Sequence, residues 1–259
     1  MSKKARHIIN IISAVLLTAC LVMAFTSGVS CRAPLKCTGL KVVIADSSVN
    51  RFVSAADVKK FLDKEYGEYV GRPADSLDLC RIEKIVDSRS AVLKSQAYMT
   101  RDGKLNITVT QRTPAVRFQK SDGGFYADTE GWVFPLQSSY SSRVPVIDGD
   151  IPLKANTGYK GKIDDPKEQK WFTDILNVIN YMESSKVWKD KIVQITVYDG
   201  GELKMVPRSG KEIFMFGQPV NIEDKFRRME MYYTSIVPAK GSGLYSTVSV
   251  EYDGQIVCR

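Results

Sequence analysis

The first thirty residues constrain this chain most, because they contain a long stretch without any charge. Residues 7–31 hold no lysine, arginine, aspartate or glutamate, and residues 8–29 are dominated by large apolar side chains. A helix of this length rises about 33 Å, enough to cross a hydrocarbon layer of roughly 30 Å. Basic residues Lys3, Lys4 and Arg6 precede it and place the N-terminus in the cytoplasm. We therefore expect a cytoplasmic tail over 1–7, a transmembrane helix over 8–29 that anchors the chain in the lipid bilayer, and an extracytoplasmic remainder.

Two other readings of this segment stay open. A cleaved signal peptide also begins with basic residues, although its apolar part usually has only about 7–15 residues. The stretch Leu17-Thr18-Ala19-Cys20 resembles a lipoprotein processing box, with Cys20 as the acylated residue, although the apolar run continues beyond that cysteine. All three readings place the bulk of the chain outside the cytoplasm.

The composition argues against several functional classes. The hydrophobic content of 44% is that of a globular protein, and the net charge of +8 is too diffuse for a nucleic-acid surface. Five cysteines without a C-x-x-C pair form neither a disulfide framework nor a zinc site. Cys80 falls in an apolar helical pattern, so we expect it to be buried. A Cys37–Cys258 bridge stays open at this point.

Hydrophobic periodicity divides the extracytoplasmic part into two modules. Residues 35–112, the amino-terminal module, have the order strand, helix, helix, strand, strand, and Ser54-Ala55-Ala56-Asp57 is a capping box that opens the first helix. Residues 113–259, the carboxyl-terminal module, show many short strands separated by turns, and two helices. Pro166 opens the first of these helices, and i,i+4 pairs Glu223–Arg227 and Asp224–Arg228 are expected on the second. The expected fold class is α+β.

The inventory of reactive side chains argues against an enzyme. His7, the only histidine, lies on the cytoplasmic side of the apolar run, so no His-dependent nucleophile or metal site can form outside. Asp128 and Glu130 are typical of a solvated hairpin turn rather than of an acid–base pair. We therefore expect no catalytic residue, cofactor, metal or small-molecule substrate.

Protein–protein recognition remains, and the last strand is the best candidate for it. Polar Thr247, Ser249 and Glu251 alternate there with Val248, Val250 and Tyr252. A terminal strand that pairs on one side only leaves backbone groups free for a partner strand. The alternative is an ordinary edge strand, protected by the charge of Glu251.

Several stretches, taken in order, resemble the FtsQ/DivIB family. The resemblance extends over nearly the whole chain, with the amino-terminal module similar to a POTRA domain and the carboxyl-terminal module to the family's β domain. The short tail and the absence of an extension after the last strand are departures from the family. The stretches that carry the resemblance are Gln111-Arg112-Thr113-Pro114, Tyr126-Ala127-Asp128-Thr129-Glu130-Gly131, Val144-Pro145-Val146-Ile147-Asp148-Gly149, Asp224-Lys225-Phe226 and Tyr252-Asp253-Gly254-Gln255-Ile256-Val257-Cys258.

The resemblance implies a scaffold of the bacterial divisome, with a single span in the inner membrane and its bulk outside the cytoplasm at the division septum. It implies FtsB-like and FtsL-like partners at the C-terminal edge, and further division proteins at the POTRA domain. Carried onto this chain, the implied partner-binding residues are Thr247, Val248, Ser249, Val250, Glu251, Tyr252, Gln255, Ile256, Val257, Arg227 and Arg228. The competing expectation is a POTRA-containing lipoprotein, or an anchored factor of envelope assembly or export.

Overall fold

A computed structural model describes residues 3–30, 35–121, 123–138 and 140–259 of the chain, and within the first helix it describes the side chains of residues 11–24. Helix α1 runs over Lys3–Ser30. Its large apolar side chains between Ile11 and Met23 are 54–71% exposed. Part of the predicted span over 8–29 lies outside the described side chains. Among the described residues, no helix meets the combined length and apolarity that a membrane span requires.

The amino-terminal module folds in the predicted order. Its elements are β1 (Gly39–Ile44), α2 (Ala55–Glu65), a short 3-10 turn (Ala74–Ser76), α3 (Leu79–Asp87), β2 (Val92–Met99) and β3 (Lys104–Gln111). The three strands form one sheet in the order β1-β3-β2, with β1 parallel and β2 antiparallel to the central β3. The apolar faces of both helices are buried in the core of this module, as Leu62 and Ile82 show by their complete burial.

The two helices of this module begin at side-chain caps. The predicted capping box is confirmed: Ser54 Oγ accepts the N–H of Asp57 at 3.1 Å, and Asp57 accepts the N–H of Ser54 at 3.2 Å. Asp78 caps α3 in the same way through the N–H of Arg81. The prediction that Cys80 is buried is wrong: it is exposed. Ile82 and Val86 form the buried stripe of α3, and Cys80 lies two positions before it on the wet face.

The carboxyl-terminal module is built on a nine-stranded sheet. Its strands are β4 (Pro114–Lys120), β5 (Gly123–Asp128), β6 (Val133–Pro135), β7 (Val146–Gly149), β8 (Ile192–Tyr198), β9 (Glu202–Pro207), β10 (Ile213–Gly217), β11 (Thr247–Ser249) and β12 (Val257–Cys258). They lie side by side in the order β12-β11-β10-β9-β8-β7-β4-β5-β6. The pairs β4–β7, β7–β8 and β10–β11 are parallel, and the others are antiparallel. The α+β class is confirmed.

Two helical segments cover the core of this sheet. Helix α4 (Pro166–Ser184) begins where Asp165 accepts the N–H groups of Lys167 and Glu168, with Pro166 at its first position as predicted. Helix α5 (Ile222–Met231) continues as a π-helical turn over Tyr232–Ile236 and then as α6 (Val237–Lys240). In the widened turn the N–H of Val237 donates to the carbonyl of Tyr232, five residues earlier, and Pro238, which has no N–H, comes directly after it.

The two modules share part of one core. Phe52, which precedes α2, is only 3% exposed and makes edge-on contacts with Tyr126, Phe134 and Tyr140 of the other module. The centroids of these rings lie 4.8–5.7 Å from that of Phe52. The hydroxyl of Tyr140 also donates to the carbonyl of Val49 at 3.1 Å. Aromatic side chains of the second module therefore complete the core of the first.

Candidate functional site at the carboxyl-terminal sheet edge

The predicted terminal strand over 247–252 is shortened to β11, and a further strand, β12, follows and pairs with it. β11 pairs in parallel with β10 on one side and antiparallel with β12 on the other. The prediction that Thr247–Tyr252 form the free edge is therefore wrong: the chain turns at Asp253-Gly254 and covers that edge with its own last residues. The outermost strand at this end of the sheet is β12, over Val257–Cys258.

Hydrogen bonding shows which backbone groups of β12 are open. Thr247 and Arg259 exchange two backbone hydrogen bonds, of 2.9 and 3.0 Å. In an antiparallel pair, residues that exchange hydrogen bonds alternate with residues that do not. Cys258, opposite Val248, therefore points its N–H and C=O away from β11, and the same alternation directs those of Ile256 outward. The backbone N–H and C=O of Val257 point inward, towards Ser249.

The opposite end of the same sheet is covered. There the outermost strand is β6, only three residues long. Val133 exchanges two backbone hydrogen bonds, of 2.8 and 3.0 Å, with Gly161 of the loop that leads into α4. Within the described part of the nine-stranded sheet, β12 is thus the outer strand that no other segment covers.

The predicted side chains divide between core and surface. Val248 and Val250 are fully buried, and the N–H of Val250 donates to the carbonyl of Met215 at 3.0 Å. Thr247, Ser249 and Glu251 lie half-buried on the opposite face of the sheet, and Ile256 and Val257 are also half-buried. Tyr252, 53% exposed, and Gln255 project from the turn. The groups available to a partner are therefore the turn and β12, while the two valines hold the strand in place.

The two predicted arginines have different environments. The Arg227 side chain is 70% exposed and pairs with Asp224, so the predicted Glu223–Arg227 pair is wrong. The Asp224–Arg228 pair is confirmed, at 3.2 Å, and the Arg228 side chain is only 5% exposed. Its other terminal nitrogen lies 3.9 Å from the carboxylate of Asp253. Arg228 thus places a buried positive charge between α5 and the turn that separates β11 from β12, with none of its guanidinium nitrogens hydrogen-bonded among the described residues.

A polar cavity of about 750 Å³ lies between α5 and this turn. Tyr181, Glu223, Arg227 and Asp253 are among its lining residues. Behind it, Lys225 is buried and donates to the carbonyls of Phe216 and Gln218 at 2.8 and 2.7 Å. Burial lowers the pKa of Lys225, and the nearby Arg228 adds to this effect. The cavity offers charged groups of both signs at the turn that precedes β12.

Among the described residues, no group of three or more histidine, cysteine or acidic side chains is placed to hold a metal ion. The four cysteines that the structure describes, Cys20, Cys37, Cys80 and Cys258, are free thiols. What this edge offers chemically is a backbone ladder and charged side chains, which suits recognition of another polypeptide.

Sequence reasoning missed a buried ion pair at the junction of the modules. Arg112 and Asp128 lie 2.8 Å apart, with side chains 10% and 8% exposed. Asp128 also accepts the N–H groups of Glu130 and Trp132, and the guanidinium lies 4.3 Å from the centre of the Trp132 indole. The prediction of a solvated turn at Asp128 is wrong. The pair connects two of the stretches that resemble the family, which is the signal that could have revealed it.

Comparison with known proteins agrees with this architecture. A family model described as FtsQ/DivIB, C-terminal related, matches residues 113–259, more than half of the chain. A second, described as a POTRA-like domain, matches residues 35–110. No curated protein matches the chain significantly. The two matches together cover both modules in the expected order, and the chain belongs to the FtsQ/DivIB family of bacterial cell-division proteins.

Proposed function

We propose that this chain is a membrane-anchored, non-enzymatic scaffold of the divisome that binds FtsB-like and FtsL-like proteins by strand addition at β12. The observation that carries the proposal is the open backbone of Ile256 and Cys258, at the uncovered end of a sheet whose other end is closed by Gly161. A partner strand laid along β12 would extend the sheet to ten strands and satisfy these groups.

The proposed contact differs in position from the one expected from the sequence. The partner's backbone bonds to Ile256 and Cys258 rather than to Thr247–Tyr252. Tyr252 and Gln255 at the turn, and Arg227 beside the polar cavity, remain available to side chains that flank the added strand. Buried Arg228 contributes positive charge beside the turn, 3.9 Å from the carboxylate of Asp253.

The anchor in this proposal is the apolar stretch over 8–29, with the tail over 1–7 in the cytoplasm and the bulk outside at the septum. Its support is the absence of charge between residues 7 and 31 and the basic residues before it. The amino-terminal module would present a second surface to other division proteins, at a position fixed by the shared core.

The test is binding of the full chain, in nanodiscs, to the extracytoplasmic parts of FtsB-like and FtsL-like proteins of the same organism. Cys258→Pro removes an outward N–H and leaves the β11 pairing intact, since proline is tolerated on edge strands. Losing that bond and leaving a partner carbonyl unpaired costs about 1–3 kcal/mol, or roughly a five- to 150-fold weaker affinity. Cys258→Ala keeps the N–H and is the matched control.

Val250→Pro is unsuitable for this purpose, because its N–H bonds to Met215 inside the sheet and its loss would disturb the fold. If folded Cys258→Pro binds both partners as tightly as Cys258→Ala, strand addition at β12 is excluded. If neither partner binds the unmodified chain, the scaffold proposal itself fails.

A further inference from the structure

An apolar cavity of about 280 Å³ lies against another face of α5, away from the turn between β11 and β12. Its walls come from three places: the turn after α4, which contributes Val187 and Trp188, the end of β9 at Pro207, and the start of the π-helical turn at Tyr233. The turn is fixed by Ser185, whose hydroxyl accepts the N–H groups of Val187 and Trp188, both at 3.2 Å.

The aromatic walls of this cavity are held rigidly. Trp188 is only 4% exposed, and its ring centre lies 5.3 Å from that of Phe226 and 6.3 Å from that of Tyr233. The hydroxyl of Tyr233 donates to the buried carboxylate of Glu212, which also accepts the N–H of Lys211 at 3.0 Å. Because the wall side chains are already fixed, an incoming apolar group would find the cavity largely formed.

The rim of the cavity carries an excess of positive charge. Four exposed lysines lie at the cavity or within two residues of its lining, and Arg208 is a fifth basic residue there. None of the lysines has an ion-pair partner in the part of the chain that the structure describes. Three carboxylates oppose these five basic residues: Glu230, which lines the cavity, Asp190 in the turn after α4, and Glu212, which accepts the hydroxyl of the lining residue Tyr233. The four lysines are Lys186, Lys189, Lys191 and Lys211. The basic residues of the rim favour an occupant with carboxylates around an apolar body.

We propose that this cavity binds a bulky apolar side chain from an acidic segment of another protein, at a site separate from β12. The volume lies just below the range of about 300–1,000 Å³ that small-molecule pockets occupy, and it suits one large side chain. A lipid would need a longer groove for its acyl chain. Carboxylates flanking the apolar side chain would meet the lysines of the rim, in a peptide that docks across the end of β9 and the π-helical turn.

The probe is a fluorescein-labelled peptide with the sequence Asp-Glu-Ser-Leu-Phe-Ser-Glu-Asp, titrated by anisotropy with the full chain in phosphatidylcholine nanodiscs. Two further peptides separate the contributions, one with Leu-Phe replaced by Ser-Ser and one with all four acids replaced by lysine. Val187→Asp places a carboxylate at the mouth of the cavity, where the side chain is 44% exposed. Val70→Asp, at a 57% exposed valine of the other module, is the matched control.

We expect saturable binding of the acidic apolar peptide, and at least tenfold weaker binding of both altered peptides to the unmodified chain. Val187→Asp is expected to weaken binding of the acidic apolar peptide at least tenfold, and Val70→Asp to leave it unchanged. The proposal is overturned if Val187→Asp and Val70→Asp bind the acidic apolar peptide with equal affinity, or if the unmodified chain shows no saturable binding of that peptide. It is also overturned if the Ser-Ser peptide binds equally well, because binding would then depend on charge alone. Nanodiscs containing phosphatidylglycerol test the other source of negative charge. If phosphatidylglycerol, rather than the peptide, binds in the cavity at Val187, the occupant is a lipid and the proposal is wrong.

Discussion

Replacing Arg112 by alanine should destabilise the chain far more than the loss of an ordinary ion pair. The Arg112–Asp128 pair is about nine-tenths buried, so the substitution leaves a carboxylate in the interior without its counter-charge. Breaking a buried pair on one side costs about 3–5 kcal/mol. We expect the lower end, about 3 kcal/mol, because Asp128 keeps its hydrogen bonds from the N–H groups of Glu130 and Trp132. For a chain of this size that lowers the Tm by roughly 6–12 °C.

The assay is urea unfolding of the full chain in detergent, followed by tryptophan fluorescence and circular dichroism. Arg227→Ala is the control, since it removes one partner of an exposed pair and should cost under about 1 kcal/mol. Adding Asp128→Asn to Arg112→Ala removes the stranded charge, so the double variant should be no less stable than Arg112→Ala alone. A loss below about 1 kcal/mol for Arg112→Ala, or one equal to that of Arg227→Ala, would refute the reasoning.

Two further predictions concern the dependence of stability on pH. The hydrogen bonds from Ser54 hold the pKa of Asp57 below its ordinary value of 3.8, so their stabilisation is present above that pH and is lost as the pH falls through the folded-state pKa. Ser54→Ala should therefore lower the free energy of unfolding by about 1 kcal/mol at pH 7 and by less near pH 3. Equal shifts of the urea midpoint at the two pH values would contradict this. Burial, and then the bond to Glu212, raises the pKa of Tyr233 above its ordinary value of 10, so its stabilisation is complete below pH 10 and is lost as the pH rises further. Tyr233→Phe should reduce the loss of stability between pH 9 and 11, and an unchanged loss in parallel urea titrations would count against that linkage.

Local structure was largely predictable because its causes are local. The capping box at Ser54 and the proline at position 166 act through neighbouring residues, and both helices begin where these signals place them. Cys80 was wrongly predicted to be buried, because the spacing of apolar residues along a helix does not fix where the buried face ends. Arg227 was paired with the wrong acid because both Glu223 and Asp224 lie within its reach, and only the rotamer decides.

Strand pairing was less predictable, since it depends on contacts between distant parts of the chain. The alternation over residues 247–252 predicts a strand, which the structure confirms only for Thr247–Ser249, and it does not say which segment lies beside that strand. The fold-back at Asp253-Gly254 is visible in the sequence as a turn, yet the length of the last strand, two residues, is below what periodicity can detect. The charge on Asp128 suggested a solvent-exposed turn. Its partner Arg112 is distant in sequence, so the local pattern around Asp128 does not reveal the buried pair.

The shared core has a consequence for exchanging modules between relatives. Phe52 lies against Tyr126, Phe134 and Tyr140, so a chimera joined at residue 112 would place a foreign surface against these rings. The natural unit of exchange therefore includes the segment from the β5–β6 hairpin to Tyr140 as well as the amino-terminal module. Such grafts should succeed only between sequences that match at these aromatic positions, which makes the joint a barrier to recombination within the chain.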